Sequence, residues 1–160
     1  MKYIAILFLI LWISNTSFSQ TLQDDFSDGD FTTNPTWSGD DAEFIVNSNN
    51  QLQSQSPVAA DYYLSTPSTL STNAIWEFYF DFQFSTSGAN FAKIYLMSDS
   101  MNLNNVMNGY FVMLGGTDDE ISLYKVLGGV ESKIIDGTDN TINSSSSNPF
   151  NVKITRTTSN

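Results

Sequence analysis

Cysteine and histidine are both absent from this 160-residue sequence, and only six lysines and arginines stand against 17 aspartates and glutamates. Without cysteine no disulfide contributes, and the fold must hold by packing alone. Without histidine the commonest catalytic base and the commonest metal ligand are both missing. Serine–histidine and cysteine–histidine catalysis are excluded. The formal net charge of −11, with Lys93, Lys125, Lys133, Lys153 and Arg156 scattered singly, makes nucleic acid and anionic membrane surfaces poor partners. Long apolar runs are lacking too, except at the N-terminus.

There, Met1-Lys2 supplies a short basic start and Tyr3 to Ile13 an almost unbroken apolar run. Ser17 and Ser19 then occupy the −3 and −1 positions of a cleavage site before Gln20. This order predicts a secretory signal peptide over residues 1–19, because the run is shorter than the ~20 residues a spanning helix needs. The mature chain, 20–160, is expected to be secreted or held at the cell surface. It is long enough for one two-layer domain.

What is present is period-two alternation. Residues Ile75 to Phe84 place Trp76, Phe78, Phe80, Phe82 and Phe84 on one face, with Ile75, Glu77, Tyr79, Asp81 and Gln83 on the other. A helix would scatter these rings, so the segment predicts a half-buried antiparallel strand whose aromatic side faces the core. Phe44–Val46 and Gln51–Gln53 flank an asparagine-rich turn and read as a hairpin. Asp61–Thr66, Phe91–Ser98, Ile121–Val126 and Ser132–Ile135 read as further strands, and the wholly apolar Tyr110–Leu114 suits a central position. Asn143–Asn148 reads as a polar linker too poor in apolar residues to pack. No helical periodicity long enough for a core helix appears. The fold class is therefore all-β, an antiparallel β-sandwich.

Two groups of side chains are candidates for binding. Asp24, Asp25, Asp28 and Asp30 offer hard oxygen donors for calcium. They do not follow an EF-hand loop, since the twelfth position from Asp24 is Pro35 and from Asp25 is Thr36. The plainer alternative is a surface turn that favours aspartate. On the outer face of the aromatic strand, Glu77, Tyr79, Asp81 and Gln83 combine a ring with hydrogen-bonding groups, a combination suited to a glycan. The alternative is an ordinary solvated sheet face.

The runs Gly109–Gly115, Asp118–Lys125 and Phe150–Arg156, with the opening Asp24–Phe31 and Asn34–Asp40, resemble laminin-G-type, concanavalin A-like sandwiches. They are similar to the N-terminal modules of large secreted Bacteroidota proteins, many with lamin-tail domains further along. The resemblance implies a jelly roll that continues past the Arg156 strand, so the sequence is expected to be incomplete, with an unpaired edge prone to self-association. Relatives of that fold include laminarinase-type hydrolases, whose acids alternate closely on one strand. Glu77 and Asp81 stand ~13–14 Å apart along a strand, whereas retaining enzymes need ~5–5.5 Å and inverting ones ~6.5–9.5 Å. A non-catalytic binding or adhesion module, for a polysaccharide or other glycan, is the leading expectation. A structural spacer presenting downstream domains, or the N-terminal part of a glycoside hydrolase, are the alternatives.

Overall fold

The computed structural model describes residues 21–157, so the predicted signal peptide and the last three residues lie outside the described region. Ten strands follow one another: β1 (Ser38–Gly39), β2 (Phe44–Val46), β3 (Leu52–Ser54), β4 (Leu64–Ser65), β5 (Ala74–Asp81), β6 (Phe91–Ser98), β7 (Gly109–Gly115), β8 (Glu120–Leu127), β9 (Val130–Ile135) and β10 (Pro149–Arg156). The only helical element among the described residues is one 3-10 turn, Asp41–Glu43. Every pairing is antiparallel, and the all-β expectation is met.

The body consists of a four-stranded sheet in the order β6-β7-β8-β9 and a two-stranded ribbon of β5 and β10. Trp76, Phe78 and Phe80 of β5, with Phe150, Val152 and Ile154 of β10, face one side of the sheet. There they meet Ala92, Ile94 and Leu96 of β6, Val112 and Leu114 of β7, and Ile121 and Leu123 of β8. The alternation in β5 thus predicts the buried side correctly. Phe80 stacks on Phe150 at 5.6 Å between centroids and tilts against Phe82 at 5.2 Å. Phe82 and Phe84 lie beyond the last ladder pair of β5, at Asp81–Pro149, and stack on each other at 5.0 Å.

As the unbroken apolar run of β7 suggests, the strand is central, paired on both edges and buried on both faces. Its second face carries Phe111, which is fully buried, and forms a smaller cluster with Met107, Val126, Tyr95, Leu103, Met113 and Tyr124. Met107 and Leu103 come from the loop between β6 and β7, which is polar in composition but anchored by these apolar side chains. Asp99 ties the same loop by accepting the Asn108 amide at 2.8 Å.

Two sequence expectations need correction. Asp61–Thr66 yields only the two-residue strand β4, paired with β1; the rest of that stretch has no ladder partner. Asn143–Asn148 is not a loose linker. The Asn148 side chain donates to the carbonyls of Phe82, Phe84 and Ser144, and its own oxygen accepts the Ser144 N–H. Just before it, Ile142 is fully buried in the main core. An amide side chain satisfied on both ends closes the turn that apolar packing does not.

Candidate functional site

The outer surface of the β5–β10 ribbon follows directly from register. Glu77 lies opposite Lys153, Tyr79 opposite Asn151, Ile75 opposite Thr155 and Asp81 opposite Pro149. Directly opposed residues share a face, so these side chains project away from the core that their neighbours bury. Tyr79 remains 51% exposed, and Glu77 and Lys153 form an exposed ion pair at 2.7 Å. Glu77, Phe78, Tyr79, Asn151, Val152 and Lys153 line a shallow depression on this surface. Among the described residues, Tyr79 stacks on no other ring, which leaves its faces open.

The four residues predicted here therefore separate into two pairs. Glu77 and Tyr79 stand together in the depression. Asp81 faces the turn before β10, where it accepts the Asn148 N–H at 2.6 Å and the Ser147 hydroxyl at 3.0 Å. Gln83, beyond the end of β5, donates its side-chain amide to the Asp81 carboxylate at 2.5 Å. Asp81 and Gln83 thus fasten one end of the ribbon, and Asp81 is committed to structure. Asn151 and Lys153, absent from the sequence-based set, take their place. The signal for them lay in the polar phase of the β10 alternation, but it becomes a site only once the register with β5 is known.

The aspartate cluster is built differently from a cation cage. Asp24 accepts the Phe26 N–H with one oxygen and the Trp37 indole N–H with the other. Asp25 caps Ser27, and Asp28 caps the N–H of Asp30. Asp30 accepts from the Thr32 N–H at 2.6 Å, the Thr32 hydroxyl at 2.8 Å and the Thr33 hydroxyl at 2.8 Å. The Thr32 bonds, backbone first, hold the Asp30 carboxyl below its ordinary value, and the bonds from Ser27 do the same for Asp25. Each carboxylate accepts from its own local turn, Asp24 also from the distant Trp37, and no group of three or more acidic side chains able to hold a metal ion occurs among the described residues. Consecutive Asx turns account for the spacing of the four aspartates.

The opposite surface of the molecule carries its own aromatic row. Tyr95 of β6, Phe111 of β7 and Tyr124 of β8 sit side by side, at 5.2 Å and 5.1 Å between neighbouring centroids. Phe111 and Tyr124 are nearly parallel, at 7°. Their facing ring surfaces are taken up by each other. Lys93 lies 4.9 Å from the Phe111 centroid and reaches Glu131 of β9 at 2.5 Å. Burial pushes the Tyr95 hydroxyl up, and the Glu131 charge adds to it. Beyond this row, Lys133 pairs with Glu120, with Asp136 at 2.6 Å and with Asp118 at 3.7 Å. Asp136 first, then Glu120, holds the Lys133 ammonium well above its usual range. Glu120 itself is almost fully buried, and one of its oxygens has no hydrogen-bond partner. Glu120 opens β8 opposite Gly115, and Asp118 and Asp119 lie in the hairpin turn just before it.

Known proteins add nothing to this geometry. The chain matches no family model, no curated protein and no solved structure. The likeness to laminin-G-type sandwiches accordingly rests on the sequence motifs alone.

Proposed function

We propose that this chain is a secreted, non-catalytic binding module for a glycan, and that the ribbon surface around Tyr79 is where the glycan docks. What supports this is the half-exposed Tyr79 ring, unstacked, between the Glu77–Lys153 pair and Asn151. A pyranose ring offers an apolar face to such an aromatic and hydroxyls to carboxylate, amide and ammonium groups around it. The depression is shallow and open, which suits one face of a polymer better than an enclosed small molecule. Lys153 is paired with a carboxylate in a strongly acidic chain, which favours neutral sugars over acidic ones. Asp81 is held in the Ser147–Asn148 turn, which weighs against its use as a hydrolytic acid alongside Glu77. The leader-like N-terminus and the resemblance to secreted sandwich modules fit the same proposal.

The test is retention on a panel of immobilised neutral polysaccharides, with Tyr79→Ala and Asn151→Ala as variants. Wild-type retention on at least one polysaccharide, lost in Tyr79→Ala while the melting curve is unchanged, is expected. Absence of binding across a broad glycan array would remove the proposal and leave the structural-spacer alternative.

A further inference from the structure

Asn108 is the only asparagine of the sequence that precedes a glycine, and the fold has a use for both residues. Gly109 opens β7 against the bulged end of β6, where a Cβ would collide with the Met97 carbonyl oxygen. Any side chain there displaces backbone, so the position calls for glycine. Asn108 ties two turns together. Its N–H donates to Asp99 Oδ1 at 2.8 Å and its side-chain Nδ2 to Asp99 Oδ2 at 2.7 Å, while its carbonyl accepts the Asp99 N–H at 3.1 Å. Its side-chain Oδ1 accepts the Gly128 N–H at 2.8 Å, from the turn between β8 and β9. Both ends of the side-chain amide are thus held, yet the residue is exposed to solvent.

We propose that Asn108 is a modification site, at which deamidation is gated by the Asp99–Asn108 clamp and, once complete, keeps that clamp open. An Asn-Gly step is labile because glycine has no side chain to hinder attack by its own main-chain nitrogen. In the reaction the Gly109 nitrogen loses its proton to solvent base and bonds to Asn108 Cγ. The Cγ–Nδ2 bond breaks, and ammonia leaves with that electron pair and a proton taken back from solvent. Water then opens the five-membered imide at either carbonyl, giving aspartate or isoaspartate, and nothing is oxidised or reduced.

With Oδ1 and Nδ2 both engaged, the side chain is not free to swing onto the Gly109 nitrogen, so the first bond forms when the clamp opens locally. The product does not close it again. In aspartate an oxygen replaces Nδ2 opposite Asp99 Oδ2, turning a hydrogen bond into a contact between like charges. Isoaspartate instead adds a methylene to the main chain just before Gly109, where Met97 leaves no room. The loop so released carries Leu103 and Met107 into the Phe111 cluster. Deamidation therefore loosens one end of the sheet, in one direction only.

Peptide mapping by mass spectrometry, on the purified chain incubated at mildly alkaline pH, follows replacement of the Asn108 amide by acid. Wild type is expected to convert slowly at Asn108, and faster when unfolded in urea. Asp99→Ala leaves the Asn-Gly step intact and removes the clamp, and is expected to convert about tenfold faster, as loss of hydrogen bonds to a charged group implies. Asp99→Asn keeps an acceptor oxygen and the shape of the loop, and should fall between the two. Asp81→Ala, which loosens the end of the ribbon instead, should convert at nearly the wild-type rate. In Asn108→Asp, the amides of Met107 and Gly128 should exchange hydrogen faster than in wild type. Equal rates in wild type and both Asp99 variants would overturn the proposal, and so would an equal acceleration by Asp81→Ala, which would assign the gate to global unfolding. Faster conversion of another asparagine in the folded chain would remove the site, and unchanged exchange in Asn108→Asp would remove the lasting release.

Discussion

Two rows of neighbouring aromatics lie among the described residues, and they differ in what surrounds the rings. Along β5 the row is tryptophan and phenylalanine only, and with Phe150 it fills the space between ribbon and sheet. Across β6, β7 and β8 the row is Tyr95, Phe111 and Tyr124, with the Lys93 ammonium over the central ring. Ring spacing is about the same in both. The difference lies in the polar groups: rings without hydroxyls can be enclosed by a second layer, whereas tyrosines need a wet or hydrogen-bonding rim. Ion pairs take the place of a second layer on that face. The Lys93–Glu131 pair crosses the row, and Lys133 closes the neighbouring buried carboxylate. One row is held mainly by enclosure, the other partly by charge.

The sharpest way to break the comparison is to remove a ring from each row. Phe80→Ala and Phe111→Ala are both expected to destabilise by about 3–5 kcal/mol in denaturant melts, the usual range for a buried phenylalanine. Salt should separate them. Screening weakens partly exposed ion pairs, so raising the ionic strength is expected to lower the stability of the Tyr95–Phe111–Tyr124 side but not the β5 contribution. If the wild type and a Lys93→Met variant respond identically to salt, the ion pair across the row is not a significant part of its support.

Next in size is the loss of the Lys133 ammonium. Glu120 is nearly fully buried and one of its oxygens already lacks a partner, so Lys133→Ala leaves a buried carboxylate without its counter-charge. A clear drop in melting temperature is expected, larger than that of Lys153→Ala, which removes an exposed pair contributing about 0–1 kcal/mol. Because the folded-state pKa of Lys133 is raised, its contribution is complete below pH 10.5 and disappears as pH rises through the folded value. Wild type and Lys133→Ala should therefore converge in stability only in strong alkali.

How much of this was legible in the sequence depends on distance along the chain. The two faces of β5 could be read outright, because period two within one strand needs no partner. The row of Tyr95, Phe111 and Tyr124 was invisible, since its members sit on three strands and meet only through register. The candidate glycan surface was half legible for the same reason: Glu77 and Tyr79 lie on the strand that was read, whereas Asn151 and Lys153 come from β10. The aspartates near the N-terminus are ambiguous in another way. Composition cannot separate a carboxylate that caps a turn from one that binds a cation, and in the structure each of the four accepts a backbone N–H two residues on. Asn148 misled by its neighbours, a run of serines that hides one amide with a full set of partners.

A moderate effect tests the division of labour on β5 itself. Asp81→Ala removes acceptors for Ser147, Asn148 and Gln83 and is expected to cost about 1–2 kcal/mol. Tyr79→Ala, on the same strand and facing the same way, should stay within about 0.5 kcal/mol of wild type. Stability and glycan retention should thus respond to different residues. Comparable melting losses in both variants would mean that Tyr79 is part of the framework and not a free ring.

The smallest expected effect lies at the acidic end of the pH range, in two surface turns capped by carboxylates. Asp30 is held below its ordinary value of 3.8 mainly by the Thr32 N–H, then by the Thr32 and Thr33 hydroxyls. In the loop between β6 and β7, the Asn108 backbone and then its side-chain amide act in the same direction on Asp99. A folded pKa below the unfolded one means stabilisation that is complete above pH 3.8 and is lost as pH falls through the lower folded value. Both carboxylates are at the surface, so global unfolding need not accompany their protonation; the change should be local, a loosening of the two capped turns. Amide proton shifts of Thr32 and Asn108, followed by NMR, should titrate with midpoints below 3.8, and Asp30→Asn should remove the Thr32 transition alone. Midpoints at or above 3.8 for both amides would mean that these hydrogen bonds do not favour the ionised form, and the account of the aspartates as turn caps would then fail.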